Sequence, residues 1–245
     1  MLTRLDLMAG AFRAGAALAL SEPEIRGLGR LVRQGDVCFD IGAAYGMYTY
    51  PLAALVGPGG QVHSFEPLPN PFRLLAAGRR ASGAERIRVN NAALGPAPGR
   101  ELMTLPYRFG LPIHGWAHLR TGQRRPGRPI SFSSTRTLKV EVRGVDEYCE
   151  DHGIDRVAFM KVDVEGFEAR VLEGAARTID SHRPSLLLEI EDRHLDKYGM
   201  TSADLADPLR ERGYLMYAWH RGRWARVNSV TTARRNYLFA AQGGL

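Results

Sequence analysis

The stretch that decides the fold is Val37-Cys38-Phe39-Asp40-Ile41-Gly42-Ala43-Ala44-Tyr45-Gly46-Met47-Tyr48-Thr49. A mostly apolar run meets an acid, passes through a short Gly/Ala loop, and continues into residues that can form a helix. That is a strand–loop–helix joint, where small residues let a ligand lie against bare backbone. Asp40, Gly42, Ala44 and Gly46 fall at alternate positions, an acid followed by three small residues. The joint is expected to be a nucleotide-type cofactor site.

Outward from this joint the sequence alternates. Residues 61–66 read as a second strand ending on Glu66, and 69–80 as a helix with Phe72, Leu75 and Ala76 on one face. Residues 86–90 read as a third strand, 157–164 as an apolar strand interrupted by Lys161, and 184–190 as a continuous apolar strand. An uninterrupted apolar strand is buried on both faces, and strand–helix repeats argue for a doubly wound, largely parallel α/β sheet. At the end, 214–220 and 223–227 flank a turn at Arg221-Gly222, so the sheet closes with an antiparallel element.

Two regions depart from this rhythm. Residues 1–35 read as an N-terminal helical extension, with Ser21 and Glu24 at capping-box spacing ahead of Ile25, Leu28, Leu31 and Val32. The apolar run from Leu7 to Leu20 is broken by Arg13, lacks a cleavage signature and is too short to span a membrane. Residues 36–245 form the main domain. Within it, 95–136 carries six prolines and the cluster Arg124-Arg125-Pro126-Gly127-Arg128, and is expected to be a loop-rich, substrate-binding insertion. Its His114-Gly115-Trp116-Ala117-His118 segment either lines a pocket or packs back on the surface.

With 245 residues, 44% of them hydrophobic, the chain can bury a full core. The formal charge of +7 comes almost wholly from arginine, since lysine occurs only at Lys139, Lys161 and Lys197. The arginines are scattered without an aromatic–basic stripe or an RNA-binding signature, so nucleic acid is not expected as a partner. Cys38 and Cys149 lack metal spacing, which points to a reducing, cytoplasmic setting, and Cys38 reads as a buried small hydrophobe.

In an open parallel sheet the ligand lies beyond the carboxyl ends of the strands. Four such ends carry acids: Asp40, Glu66, Asp163 and Glu189. Glu66 is placed to accept hydrogen bonds from two ribose hydroxyls. A dinucleotide needs G-x-G-x-x-G, and Gly42-Ala43-Ala44-Tyr45-Gly46 lacks that spacing. Asp40 would repel a pyrophosphate but tolerates a cation, so a sulfonium cofactor, S-adenosylmethionine, fits better than a nicotinamide dinucleotide. Asp163 should face the methyl group or the acceptor. Glu165 and Glu168 read as acids favouring a helix N-terminus. Glu189, Glu191, Asp192 and His194 follow the next strand; a divalent metal held by them with Asp163 is weighed and not favoured, because the spacing is not diagnostic.

Together these segments resemble the FkbM-type S-adenosylmethionine-dependent methyltransferases. The resemblance rests on Phe39–Ala43 with Gly46–Thr49, on Ser64-Phe65-Glu66-Pro67, and on Asn91-Ala92-Ala93-Leu94-Gly95. It continues through Lys161–Gly166 with Val171–Gly174, and ends with Arg183-Pro184 to Ile190. It implies a class I methyltransferase fold, Rossmann-like, with seven strands and an antiparallel last strand. It also implies methyl transfer, commonly to a hydroxyl of a sugar, polyketide or other small molecule. By match, Asp40, Gly42 and Gly46 hold the methionine end of the cofactor, Glu66 the ribose, and Asn91 and Ala92 the adenine side, with Ala43, Ala44, Thr49, Pro67 and Asp163 in the same cofactor site. Asp163, Glu189 and His194 are the candidates to receive a hydroxyl proton. Two positions depart from the family pattern: Ala44 stands where Asn is usual, and Gly144-Val145-Asp146 where Thr-Leu-Asp is usual. A nicotinamide-dependent oxidoreductase and a non-catalytic cofactor-binding protein are the alternatives.

Overall fold

The computed structural model describes residues 2–124 and 132–241. In chain order its strands are β1 (Val37–Ile41), β2 (Gln61–Phe65), β3 (Ile87–Asn90), β4 (Ala93–Leu94), β5 (Gly99–Arg108), β6 (Leu111–Pro112), β7 (His118–Leu119), β8 (Ser134–Arg143), β9 (Phe159–Val162), β10 (Ser185–Glu189), β11 (Tyr214–His220), β12 (Arg223–Arg226) and β13 (Asn236–Ala241). The helices are α1 (Arg4–Ala17), α2 (Thr49–Val56), α3 (Pro69–Ser82), α4 (Val145–Asp151), α5 (Glu168–Glu173), α6 (Ala176–His182), α7 (Asp192–Leu195) and α8 (Ser202–Glu211).

The main sheet runs β12-β11-β13-β10-β9-β1-β2-β3. β1 pairs in parallel with β2 and β9, and β9 in parallel with β10. β13 enters antiparallel between β10 and β11. The doubly wound sheet with an antiparallel last strand is therefore present, with eight strands instead of seven. The extra one is β12, which turns back on β11 at Arg221-Gly222 and pairs Ala218 with Ala225. Both faces of the central strands are covered. Phe39, Ile41, Met160, Leu186 and Leu188 face one core, and Cys38, Val62, Phe159 and Leu187 the other. That double burial is why these strands read as continuous apolar runs.

The first 35 residues pack into the second of these cores through Leu5, Ile25 and Leu28. Residues Pro23–Arg30 form a 3-10 helix, and Ser21 and Glu24 do not make the expected capping box. Ser21 Oγ donates instead to the Phe12 carbonyl, and Glu24 is buried. Among the described residues no helix is long and apolar enough to cross a membrane.

Residues 95–136 are not loop-rich where they are described. β5 and β8 pair from Gly99–Val142 to Tyr107–Ser134, and with β4, β6 and β7 they form a second, five-stranded sheet. Pro96 and Pro98 precede β5, and Pro106 and Pro112 sit near the hairpin end, so these prolines punctuate a hairpin without breaking it. Met103 and Leu105 point inward to a third core with Leu119, Val140, Val142 and Phe167. Arg125, Pro126, Gly127, Arg128 and Pro129 lie outside the described residues.

Candidate active site

The carboxyl ends of β1, β2 and β9 open onto a cavity of about 240 Å³, walled on its far side by the second sheet. Its lining includes Asp40, Gly42, Ala43, Ala44, Glu66, Pro67, Ala92 and Asp163, all expected at the site. Gly46, Thr49, Asn91, Glu189 and His194 are not in the lining. Three of them act one layer behind. Thr49 Oγ1 donates to Asp40 Oδ2 at 2.5 Å, and Asn91 Nδ2 donates to the carbonyls of Glu66 (2.9 Å) and Pro67 (3.1 Å). Gly46 has φ +88°, and a Cβ there would meet Tyr50 at 2.4 Å.

The 42–47 loop is bare for a measurable reason. Gly42 has φ +83°, and a Cβ on it would lie 1.8 Å from the Asp163 carbonyl oxygen, so only glycine fits where the loop leaving β1 passes the end of β9. Ala44 adopts φ +44°, a left-handed conformation costly for a residue with a Cβ. Its amide donates to Glu66 Oε2 at 2.9 Å, while the Leu68 amide donates to Glu66 Oε1 at 2.8 Å. Glu66 is thus held in place by two backbone donors. Burial raises its pKa to about 7, and burial raises that of Asp40 to about 6.

The opposite wall is a charge network. Lys161 is 1% exposed, and its Nζ donates to Asp163 Oδ2 (3.0 Å) and to Asn236 Oδ1 (3.1 Å). Burial opposes the charge on Lys161, but the carboxylates around it, Asp163 foremost, outweigh burial and raise its pKa. Asp163 responds in kind: burial pushes it up, and the Lys161 ammonium overcomes this and holds it low. Lys161, not an external ligand, is therefore the group that offsets a carboxylate at the end of this buried strand. Glu165 and Glu189 are both pushed up, by burial first and then by the charge on Asp163. Carboxylate oxygens of these three acids lie within 4.8 Å of one another. Lys161 is bonded to Asp163, and Lys197 Nζ lies 3.4 Å from the Glu165 carbonyl oxygen, so two cations border the trio.

The other acids that follow β10 are dispersed. Glu191 pairs with Arg193 and Arg235, and Asp192 accepts from the Ser202 amide. His194 is 2% exposed and faces Glu165 Oε2 at 2.9 Å and Lys197 Nζ at 3.1 Å. Trp116 lies 5.0 Å from the His194 ring and covers it, while His114, Gly115 and Ala117 line the cavity. The ring-rich segment thus does both things weighed for it. Burial, with Lys197 and Arg193, lowers the His194 pKa to about 4. Glu168 is no surface acid at a helix start: it is 1% exposed and accepts from the amides of Val164 and Gly166.

Tyr48, Lys161, Glu165 and Phe167 also line the cavity, though none stood among the candidate site residues. Lys161 carried a signal, since a lysine inside an apolar strand requires a buried partner.

Compared with known proteins, the chain is 29% identical over 163 residues to the 31-O-demethyl-FK506 methyltransferase FkbM of Streptomyces tacrolimicus. That match covers 58% of this chain and 60% of the relative. A crystal structure of the methyltransferase FkbM from Methylobacillus flagellatus superposes with a TM-score of 0.51 at 20% identity, over 83% of this chain and 43% of that one. A proposed methyltransferase from Streptococcus mutans, solved with SAH, gives 0.50 at 8% identity over 89% and 96%. At these identities the structures show a shared class I methyltransferase fold. The chain spans less than two thirds of the FkbM proteins it matches. A model of the methyltransferase FkbM domain covers residues 40–216, from Asp40 near the end of β1 into β11, and the chain belongs to that family.

Proposed function

We propose that the protein is an S-adenosylmethionine-dependent methyltransferase acting on a hydroxyl oxygen of a small-molecule or glycan acceptor, and that it works in the cytoplasm. The observation that carries this reading is the cavity between a bare loop and a charge network. The 42–47 backbone and Asp40 suit a cationic amino-acid tail, Glu66 suits a ribose, and Pro67, Leu68 and Ala92 offer an apolar slot for an adenine. S-adenosylmethionine supplies, when bound, a methyl group already activated on a sulfonium. The protein's own contribution is then positioning and exclusion of water. The relative from Streptomyces tacrolimicus is named for a substrate lacking a methyl on oxygen, and that chemistry is extended here to this chain.

Of the three residues considered as proton acceptors, Asp163 borders the cavity, whereas Glu189 and His194 stand behind it. Glu165 borders it as well. Burial and Asp163 raise the Glu165 pKa to about 8, near the working range of a general base. Asp163, held low by Lys161, is the weaker base. We assign Glu165 the proton from the acceptor hydroxyl.

Calorimetry tests the cofactor half directly. The wild type should bind S-adenosylmethionine, and Glu66→Ala and Asp40→Ala should each weaken binding at least tenfold, the worth of a hydrogen bond to a charged group. A wild type that binds neither S-adenosylmethionine nor S-adenosylhomocysteine removes the proposal.

A further inference from the structure

The cavity's charged wall is anchored by a residue outside both the β-sheet core and the family's matched region. Glu22, in the segment that leads into the 3-10 helix, accepts from Tyr48 Oη at 2.5 Å and from Asn236 Nδ2 at 2.9 Å, both through Oε2. Tyr48 lines the cavity, and its ring centroid is 5.3 Å from Lys161 Nζ. Asn236, the first residue of the last strand, turns its Oδ1 to the same Nζ. A ring therefore closes through Glu22, Tyr48, Lys161 and Asn236. It draws one member from each end of the chain onto the central strand.

Each contact constrains the next. By accepting from the Asn236 NH₂ group, the Glu22 carboxylate leaves the Asn236 amide oxygen to face the ammonium. By accepting from the Tyr48 hydroxyl, it holds the ring face under the ammonium, a cation–π contact strengthened by burial. Lys161 in turn keeps Asp163 charged at the mouth of β9. We propose that Glu22 is a positioning residue of the cofactor site, fixing Lys161 and Asp163 through Tyr48 and Asn236 and thereby setting the affinity for the cofactor. This rests on the cofactor reading above. It makes residues 1–35 part of the working site.

The test is calorimetry of S-adenosylmethionine and S-adenosylhomocysteine with wild type, Glu22→Ala, Glu22→Gln, Tyr48→Phe and the double variant Glu22→Ala/Tyr48→Phe. Thermal unfolding is followed in parallel. Glu22→Ala and Tyr48→Phe should each raise the Kd about tenfold while unfolding remains cooperative. The double variant should lose little more than either alone, because the two act in one chain of contacts. Glu22→Gln keeps an acceptor oxygen for Tyr48 and should recover part of the loss; it carries the test should Glu22→Ala fail to fold. A purely structural role would lower the melting temperature and leave the Kd of the folded protein unchanged. Wild-type affinity in Glu22→Ala, or losses from Glu22 and Tyr48 that simply add, would overturn the positioning role while leaving the cofactor reading intact. No binding by the wild type removes both.

Discussion

The two walls of the cavity hold their acids by different means. On the β1–β2 side, Asp40 and Glu66 are bonded to neutral partners, a threonine hydroxyl and two backbone amides. On the β9–β10 side, Asp163, Glu165 and Glu189 crowd one another around Lys161 and Lys197. Neutral partners leave a buried carboxylate with a raised pKa, whereas an ammonium pulls Asp163 the other way. The first wall is a shape set by the backbone; the second is a charge balance. The first should break when atoms are added, and the second when a charge is removed.

The largest effect is expected at Gly42. An added Cβ would sit 1.8 Å from the Asp163 carbonyl oxygen, a backbone atom that cannot step aside without moving the end of β9. The positive φ adds its own penalty. Gly42→Ala should cost roughly 4 kcal/mol or more in denaturant unfolding and abolish cofactor binding. A variant that unfolds and binds like the wild type would show that the loop leaving β1 does not pass the end of β9 this closely.

On the charged wall, Lys161→Met removes the cation and leaves Asp163 without its partner. Breaking a buried pair from one side costs about 3 kcal/mol, whereas removing both sides is nearly neutral. The double variant Lys161→Met/Asp163→Asn should therefore recover most of the stability the single variant loses. If the double variant is as unstable as the single, the loss comes from packing of the lysine stem and not from charge balance.

The same contrast explains what was legible in the sequence. The backbone-built wall could be read, because Asp40, Gly42 and Glu66 take their roles from position at a strand end, and strand ends follow from local pattern. The charge-built wall could be read only in part. Asp163 closes a strand, and its partner Lys161 stands two residues away, but the groups that hold this wall come from distant stretches: Asn236 near the end bonds Lys161, Glu22 near the start bonds Asn236, and Lys197 after α7 bonds the Glu165 carbonyl. His194 looked exposed to the site because Trp116, 78 residues earlier, covers it only in three dimensions. The β5 arm of the second sheet was hidden by its prolines, which count as loop signals until β5 and β8 are paired.

Glu168 sharpens the comparison by titration. It sits behind the charged wall yet is bonded only to backbone amides, as on the other wall, and burial raises its pKa from 4.5 to about 7. A raised folded-state value means the native protein retains a proton that the unfolded chain releases. Its contribution is complete below pH 4.5 and is lost as pH rises through about 7. Glu168→Gln removes this titration. Relative to wild type, the variant should gain roughly 2 kcal/mol on moving from pH 5 to pH 8, measured by urea unfolding at each pH. Parallel stability–pH curves for the two proteins would show that Glu168 is charged throughout.

The smallest effect tests whether the first wall is fully relaxed. Ala44 holds φ +44° with its amide bound to Glu66, and its side chain borders the cavity. Alanine has no way to offset a left-handed backbone, whereas asparagine tolerates it and glycine adopts it freely. Ala44→Asn should raise the melting temperature by about 2 °C, corresponding to somewhat under 1 kcal/mol. Ala44→Gly separates two causes. If both variants rise, backbone conformation is the source. If only Ala44→Asn rises, the gain comes from a hydrogen bond of the amide side chain, and cofactor affinity should then rise with it. If neither rises, the left-handed turn costs nothing measurable, and the Ala44–Glu66 contact already offsets it.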